Sequence, residues 1–146
     1  MGGSMHTALT VANLSTYLYW ELGSLQSPGS IPQALIYNEQ KGPLFHVFRH
    51  FSRYIQEGYS RIEANTSESQ LKVSAYIQKD RKQMAVVLIN EKDTAVTIQL
   101  NGVTGGGLNR VSSDENGYGK EMGNLSSAGD PIELTPKSIT TLYGSY

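Results

Sequence analysis

Apolar positions change period partway through Phe45–Ala64, and that change organises the reading of the chain. Leu44, Val47, Phe48, Phe51, Tyr54 and Ile55 recur at helical spacing, whereas Tyr59–Ala64 alternates as a short strand. Pro43 suits the first position of a helix over 43–55, because it has no N–H to leave unpaired. Gly58 is placed to close that helix in a left-handed conformation.

Downstream, the pattern is that of strands with different burial. Leu71, Val73, Ala75 and Ile77 alternate with Lys72, Ser74, Tyr76 and Gln78, which predicts one buried and one wet face. Met84–Ile89 is continuously apolar and reads as a central strand, joined to the first by a hairpin at Lys79–Lys82. After a tight connection at Glu91–Asp93, Val96, Ile98 and Leu100 point inward from the next strand. Asn101-Gly102 is a turn signal extended by Gly105–Gly107, and Leu108–Ser112 is a weaker strand. Asp114–Gly129 is rich in Gly, Asn, Ser and Asp and is expected to be loop; Ile132–Leu134 and Ser138–Tyr143 complete the sheet. Short strands separated by turns at this spacing predict a mainly β protein, an antiparallel β-sandwich.

Upstream, residues 6–14 hold a helix-compatible cluster of Ala8, Leu9, Val11, Ala12 and Leu14. Aromatics make Tyr17–Leu22 a strand candidate, with Tyr17, Tyr19 and Glu21 on one face and Leu18, Trp20 and Leu22 on the other. Gly23–Gly42 reads as a long loop interrupted by an apolar piece at Ala34–Tyr37.

The length of 146 residues suits one domain with a core of its own. With 12 basic and 13 acidic residues the net charge is −1, so no field favours nucleic acid or an anionic membrane, and neutral partners fit better. The absence of cysteine excludes disulfides, thiolate chemistry and cysteine-ligated metals. No apolar run reaches the roughly 18 residues of a membrane span, and no signal-peptide pattern opens the chain. Met1–Ser4 reads as residues added in cloning, ahead of the native sequence.

HFSRYIQEGYSRIEA, LKVSAYIQ, MAVVLIN and the terminal SITTLYG resemble the last barrel helix and the appended β-sandwich of glycoside hydrolase family 30, and YLYWELG resembles that family's last barrel strand. The resemblance implies an organisation in which residues 5–56 are a remnant of the last βα unit of a (β/α)8 barrel and residues 57–146 are the side domain. It also implies a secreted protein acting on xylan or related β-linked polysaccharides or oligosaccharides, with no cofactor. A complete barrel takes about 250 residues, so this chain cannot hold one. The strands that bear the family's acid/base and nucleophile glutamates have no counterpart here, and no catalytic glutamate is assignable. What the resemblance leaves is a non-catalytic side domain or fragment that can bind carbohydrate. Two alternatives stand beside it: a small xylanase-like hydrolase active alone or as an oligomer, and a purely structural stabilising domain.

Hydrolysis of a glycosidic bond needs two carboxyl groups, about 5–5.5 Å apart for retention or about 6.5–9.5 Å for inversion. Glu21, with Glu39 or Glu57, is the pair that the hydrolase alternative would require. In the family, an aromatic at the end of the last barrel strand lines the pocket for the sugar being cleaved, a role that would fall to Trp20. Flat aromatic faces stack on sugar rings, which makes Trp20, Tyr17 and Tyr19 sugar-binding candidates, with Tyr76 on the expected wet face and Tyr118 in the glycine-rich stretch as separate ones. His46 and His50 have the i, i+4 spacing of zinc-binding histidines, but Val47 and Phe48 fill the positions between them and no third ligand suggests itself. No metal site is assigned, and His50 is expected to hydrogen-bond helix to sandwich. The wide apolar arc of the 43–55 helix predicts that it packs on the sandwich and self-associates through its outer surface.

Overall fold

The computed structural model describes residues 1–24, 34–103 and 107–146. The middle of the expected Gly23–Gly42 loop and part of the Gly105–Gly107 turn lie outside the described residues. The chain opens with a helix, α1 (Gly2–Thr10), that takes in most of the four N-terminal residues. Three short strands follow, β1 (Gly23–Ser24), β2 (Ile36–Tyr37) and β3 (Gln40–Lys41), then α2 (Pro43–Ser52). The remainder is β: β4 (Ser60–Ile62), β5 (Leu71–Gln78), β6 (Gln83–Asn90), β7 (Val96–Ile98), β8 (Leu108–Asp114), β9 (Gly117–Leu125), β10 (Ile132–Leu134) and β11 (Ser138–Ser145).

Six strands form one antiparallel sheet in the order β4-β5-β6-β11-β8-β9, and β7 pairs with β10 in a second layer. The continuous apolar run of β6 follows from burial on both faces. Met84, Val86 and Leu88 face the β7–β10 layer with Ile132, Leu134 and Leu142, whereas Val87 and Ile89 pack with Met5 and Phe51 of the helices. α2 begins as expected, with Pro43 in its first turn, but it ends at Ser52. Gly58 is left-handed, with φ of +86°, in the turn before β4, and it does not cap the helix.

Three expectations fail. The alternate face of β5 is not wet: Ser74 and Tyr76 are buried, Tyr76 with 4% exposure, because α1 lies across it. The expected loop at Asp114–Gly129 contains the nine-residue edge strand β9, paired with β8 through two register shifts. Its glycines sit at the irregularities, where a strand tolerates them. Tyr17–Leu22 is not a strand, although its burial still alternates. Tyr17, Tyr19 and Glu21 are half-buried, while Leu18, Trp20 and Leu22 are exposed. Among the backbone bonds of the described residues, this segment meets residues 35 and 36 at Glu21 and Leu22, leading into the β1–β2 pair.

Candidate functional site

The joint between helix and sandwich is built on His50. Its ring is buried, with 2% exposure; Nδ1 lies 2.8 Å from Thr141 Oγ1 on β11, and Nε2 lies 2.9 Å from Ser113 Oγ on β8. Thr141 Oγ1 donates to the His50 carbonyl at 3.2 Å, and Ser113 Oγ accepts from the Gly119 amide at 2.8 Å. One proton assignment satisfies every partner: Nδ1–H donates to Thr141, and Nε2 accepts from the Ser113 hydroxyl. Burial first, then the Arg49 and His46 charges, lower the His50 pKa to about 3, so the ring is neutral. Both ring nitrogens are engaged, and His50 is not free to join His46 on a metal. Among the described residues no group of three or more His, Cys, Asp or Glu is placed to hold one.

This joint presents a segment at which aromatic residues meet solvent. After α1 the chain turns at Asn13, whose Oδ1 accepts from Arg61 Nη2 at 3.1 Å. At its far end the Leu35 and Ile36 amides donate to the Glu21 and Leu22 carbonyls at 3.1 and 2.9 Å. Between these anchors Tyr19 packs toward α2, its ring centroid 6.4 Å from that of Phe48, and Tyr17 joins the cluster around Met5 and Phe51. Trp20 turns outward, with 83% of its surface exposed. Of the three aromatic candidates in this segment, Trp20 is exposed, whereas Tyr17 and Tyr19 are half-buried.

Tyr118, expected in a loop, lies on β9. Its ring is exposed on one side and stacks on His46 on the other, with centroids 5.2 Å apart and planes 16° from parallel. Phe45 meets His46 edge-on at 5.4 Å, and burial together with Arg49 and Lys41 lowers the His46 pKa. Tyr76 is buried, so it does not form the exposed platform expected of it. Of the three carboxylates considered for hydrolysis, Glu21 precedes β1, Glu39 sits in the β2–β3 turn and Glu57 follows α2. Glu57 lines a cleft of about 600 Å³ beneath α1, and neither Glu21 nor Glu39 does.

One constellation has no signature in the sequence. Tyr54, Tyr59 and Tyr143, with Gln83 and Asn109, surround a cavity of about 560 Å³ where β6, β8 and β11 reach the C-terminal end of α2. Strand register brings Tyr143 opposite Asn109 and Ala85, a pairing that no local spacing reveals. Among the described residues the large exposed apolar side chains are Val11, Leu14, Leu18, Trp20, Leu22, Tyr118, Met122 and Tyr146, and none belongs to α2. Leu44, Phe45, Val47 and Phe48 of α2 are half-buried, and Phe51 is buried.

The fold and its helix-covered sheet define a β-sandwich of the kind carried by glycoside hydrolases. A GH30 endoxylanase from Clostridium papyrosolvens superposes with a TM-score of 0.85 at 20% identity, over 99% of this chain and 37% of that one. The catalytic domain of GH30 xylanase C from Talaromyces cellulolyticus gives 0.84 at 23% identity, over 97% and 33%. A conserved exported protein from Bacteroides fragilis gives 0.81 at 20% identity, over 98% and 32%. The chain therefore spans about a third of the length of these solved structures. Comparison with curated proteins finds no match. Residues 59–142, more than half of the chain, match the glycosyl hydrolase family 30 beta sandwich domain, and the chain belongs to that family.

Proposed function

We propose that this chain is the side-domain portion of an exported family 30 glycoside hydrolase acting on xylan or a related β-glycan, and that it is not itself catalytic. Its part is to hold Trp20 toward a β-linked polysaccharide or oligosaccharide. The observation that carries this reading is the 83% exposure of Trp20 on a segment anchored at both ends to a rigid scaffold. An indole face is a rigid apolar platform that meets the C–H face of a sugar ring at little entropic cost. Retention on insoluble xylan, lost in Trp20→Ala, tests the reading; equal retention of both proteins refutes it.

A second reading is favoured by Leu18, 90% exposed beside Trp20. Together with Leu22 it forms an apolar row suited to another protein surface, either a barrel or a second copy. In that reading the sandwich is a buttress, and self-association proceeds through residues 11–22, where the exposed apolar side chains gather.

A further inference from the structure

We propose that the cleft between α2 and the small β1–β3 sheet binds an aryl carboxylate, a single aromatic ring bearing one ionised carboxyl group. Leu22, Leu35 and Lys41 stand on one side of it. On the other, α2 and its C-cap present Phe45, Phe48, Arg49 and Arg53. The volume of about 480 Å³ falls within the roughly 300–1,000 Å³ of small-molecule sites. The site is independent of Trp20 and of the xylan reading.

Helical spacing builds one wall. Phe45, Arg49 and Arg53 recur every fourth residue and Phe48 lies one turn from Phe45, so all four share a face of α2. His50 and Phe51, the buried residues of the helix, lie on the opposite face against the sheet, which leaves the two phenyl rings half-buried. Leu35, with 5% exposure, closes the apolar side of the cleft. An aryl ring finds two aromatic neighbours and aliphatic contact there, and aromatic pairs gain more than their buried area alone supplies.

Charge selects an anion. From Leu22 to Gln56 the sequence sets Lys41, Arg49 and Arg53 against a single carboxylate, Glu39. Among the described residues the ion pairs use lysines 72, 92, 120 and 137, so none of the three cations of the cleft is paired. Lys41 Nζ instead rests 5.2 Å from the Phe45 ring centroid. Burial and then the Arg49 and Lys41 charges lower the His46 pKa, as an unneutralised positive neighbourhood does. Glu121 on β9 acts on Tyr143 together with Arg53 and Arg49, yet it pairs with neither arginine. The C-terminal end of α2 favours cations through its dipole, but that end carries only partial charge. A carboxylate beside Arg49 and Arg53, one turn apart, gains charge-assisted bonds from planar guanidinium groups that suit its two oxygens.

Titration of the isotope-labelled protein with 3-phenylpropanoate and, separately, with 3-phenylpropanamide tests the site through backbone amide resonances. The acid should give saturable shifts gathered at Leu35, Lys41, Phe45, Arg49 and Arg53. Affinity should be about tenfold or more lower for the neutral amide, and should fall as far for the acid in Arg49→Gln combined with Arg53→Gln. The amide has the shape of the acid without its charge and is measured on the unaltered protein, so this arm stands even where the double variant fails to fold. Added salt should weaken the acid and leave the amide unchanged. Equal affinity for acid and amide would overturn the site, because the cations would then take no part. Acetate binding as tightly as the aryl acid would overturn it too, since the ring would contribute nothing. The absence of saturable shifts with the acid at millimolar concentration would do the same.

Discussion

His50 and Thr141 hold one another twice: the imidazole meets the threonine hydroxyl at 2.8 Å, and that hydroxyl donates to the histidine carbonyl at 3.2 Å. The carbonyl belongs to the last turn of α2, where helical acceptors lack partners. A single β11 side chain therefore both caps the helix and fixes its ring. Thr141→Val keeps the shape and deletes both bonds. We expect a loss of about 1–3 kcal/mol in urea denaturation, seen as a lower midpoint at unchanged slope. An unshifted midpoint would show that the joint carries no stability.

The same ring makes stability depend on pH. The folded pKa of His50, about 3, lies below the ordinary 6.5, so between those values the unfolded chain binds the extra proton. Stability from this group is complete above about pH 6.5 and declines as pH falls toward 3, by about 1.4 kcal/mol for each unit in that window. His6 and His46, also lowered by burial, act in the same direction. Imidazole resonances followed by NMR should show His50 failing to titrate between pH 7 and 5. A midpoint near 6.5 would contradict the buried neutral ring.

Trp20→Ala should leave thermal stability within about 0.5 kcal/mol of the parent, as a largely exposed side chain supports little. Its effect should be confined to retention on xylan. A large drop in melting temperature would mean that the indole is packed rather than presented.

The purified chain should release no reducing sugar from glucuronoxylan, arabinoxylan or β-glucans, alone or concentrated. Activity that disappears in Glu21→Gln would require a carboxylate pair assembled by association of chains, and would replace the non-catalytic reading with the hydrolase alternative.

Sedimentation should show reversible, concentration-dependent association that is abolished by Leu18→Glu combined with Leu22→Glu. Both positions are exposed, so the charges act on association and not on the core. A clean monomer of the parent at high concentration would refute self-association through this row.

Much of the sandwich was legible because its strands carry long patterns. Met84–Ile89 is apolar throughout since two layers cover it, and the SITTLYG strand alternates between the same two layers. The wet face predicted for β5 failed because alternation records polarity, and Ser74 and Tyr76 are polar enough to look exposed while α1 covers them. β9 was invisible because an edge strand needs no apolar face, and Gly117, Gly119 and Gly123 imitate a loop. In Tyr17–Leu22 the period was right and the pairing wrong, since alternation describes a side-chain pattern and cannot supply a neighbouring strand. The role of His50 could be read from its place on the inner face of a helix, whereas its partners Ser113 and Thr141 could not. The cavity at Tyr54 depends wholly on register between distant strands.

The place of β11 between β6 and β8 constrains how the domain comes into being. Its two neighbours are separated by many residues in the chain and meet only through it, so the large sheet stays in two halves until residues 138–145 arrive. Pairings of such sequence separation close slowly. During synthesis the β5–β6 hairpin and the β8–β9 hairpin emerge as separate pieces with unpaired inner edges, exposed to mispairing until the last strand unites them. Chaperone demand and sensitivity to premature termination should therefore be concentrated in residues 138–145.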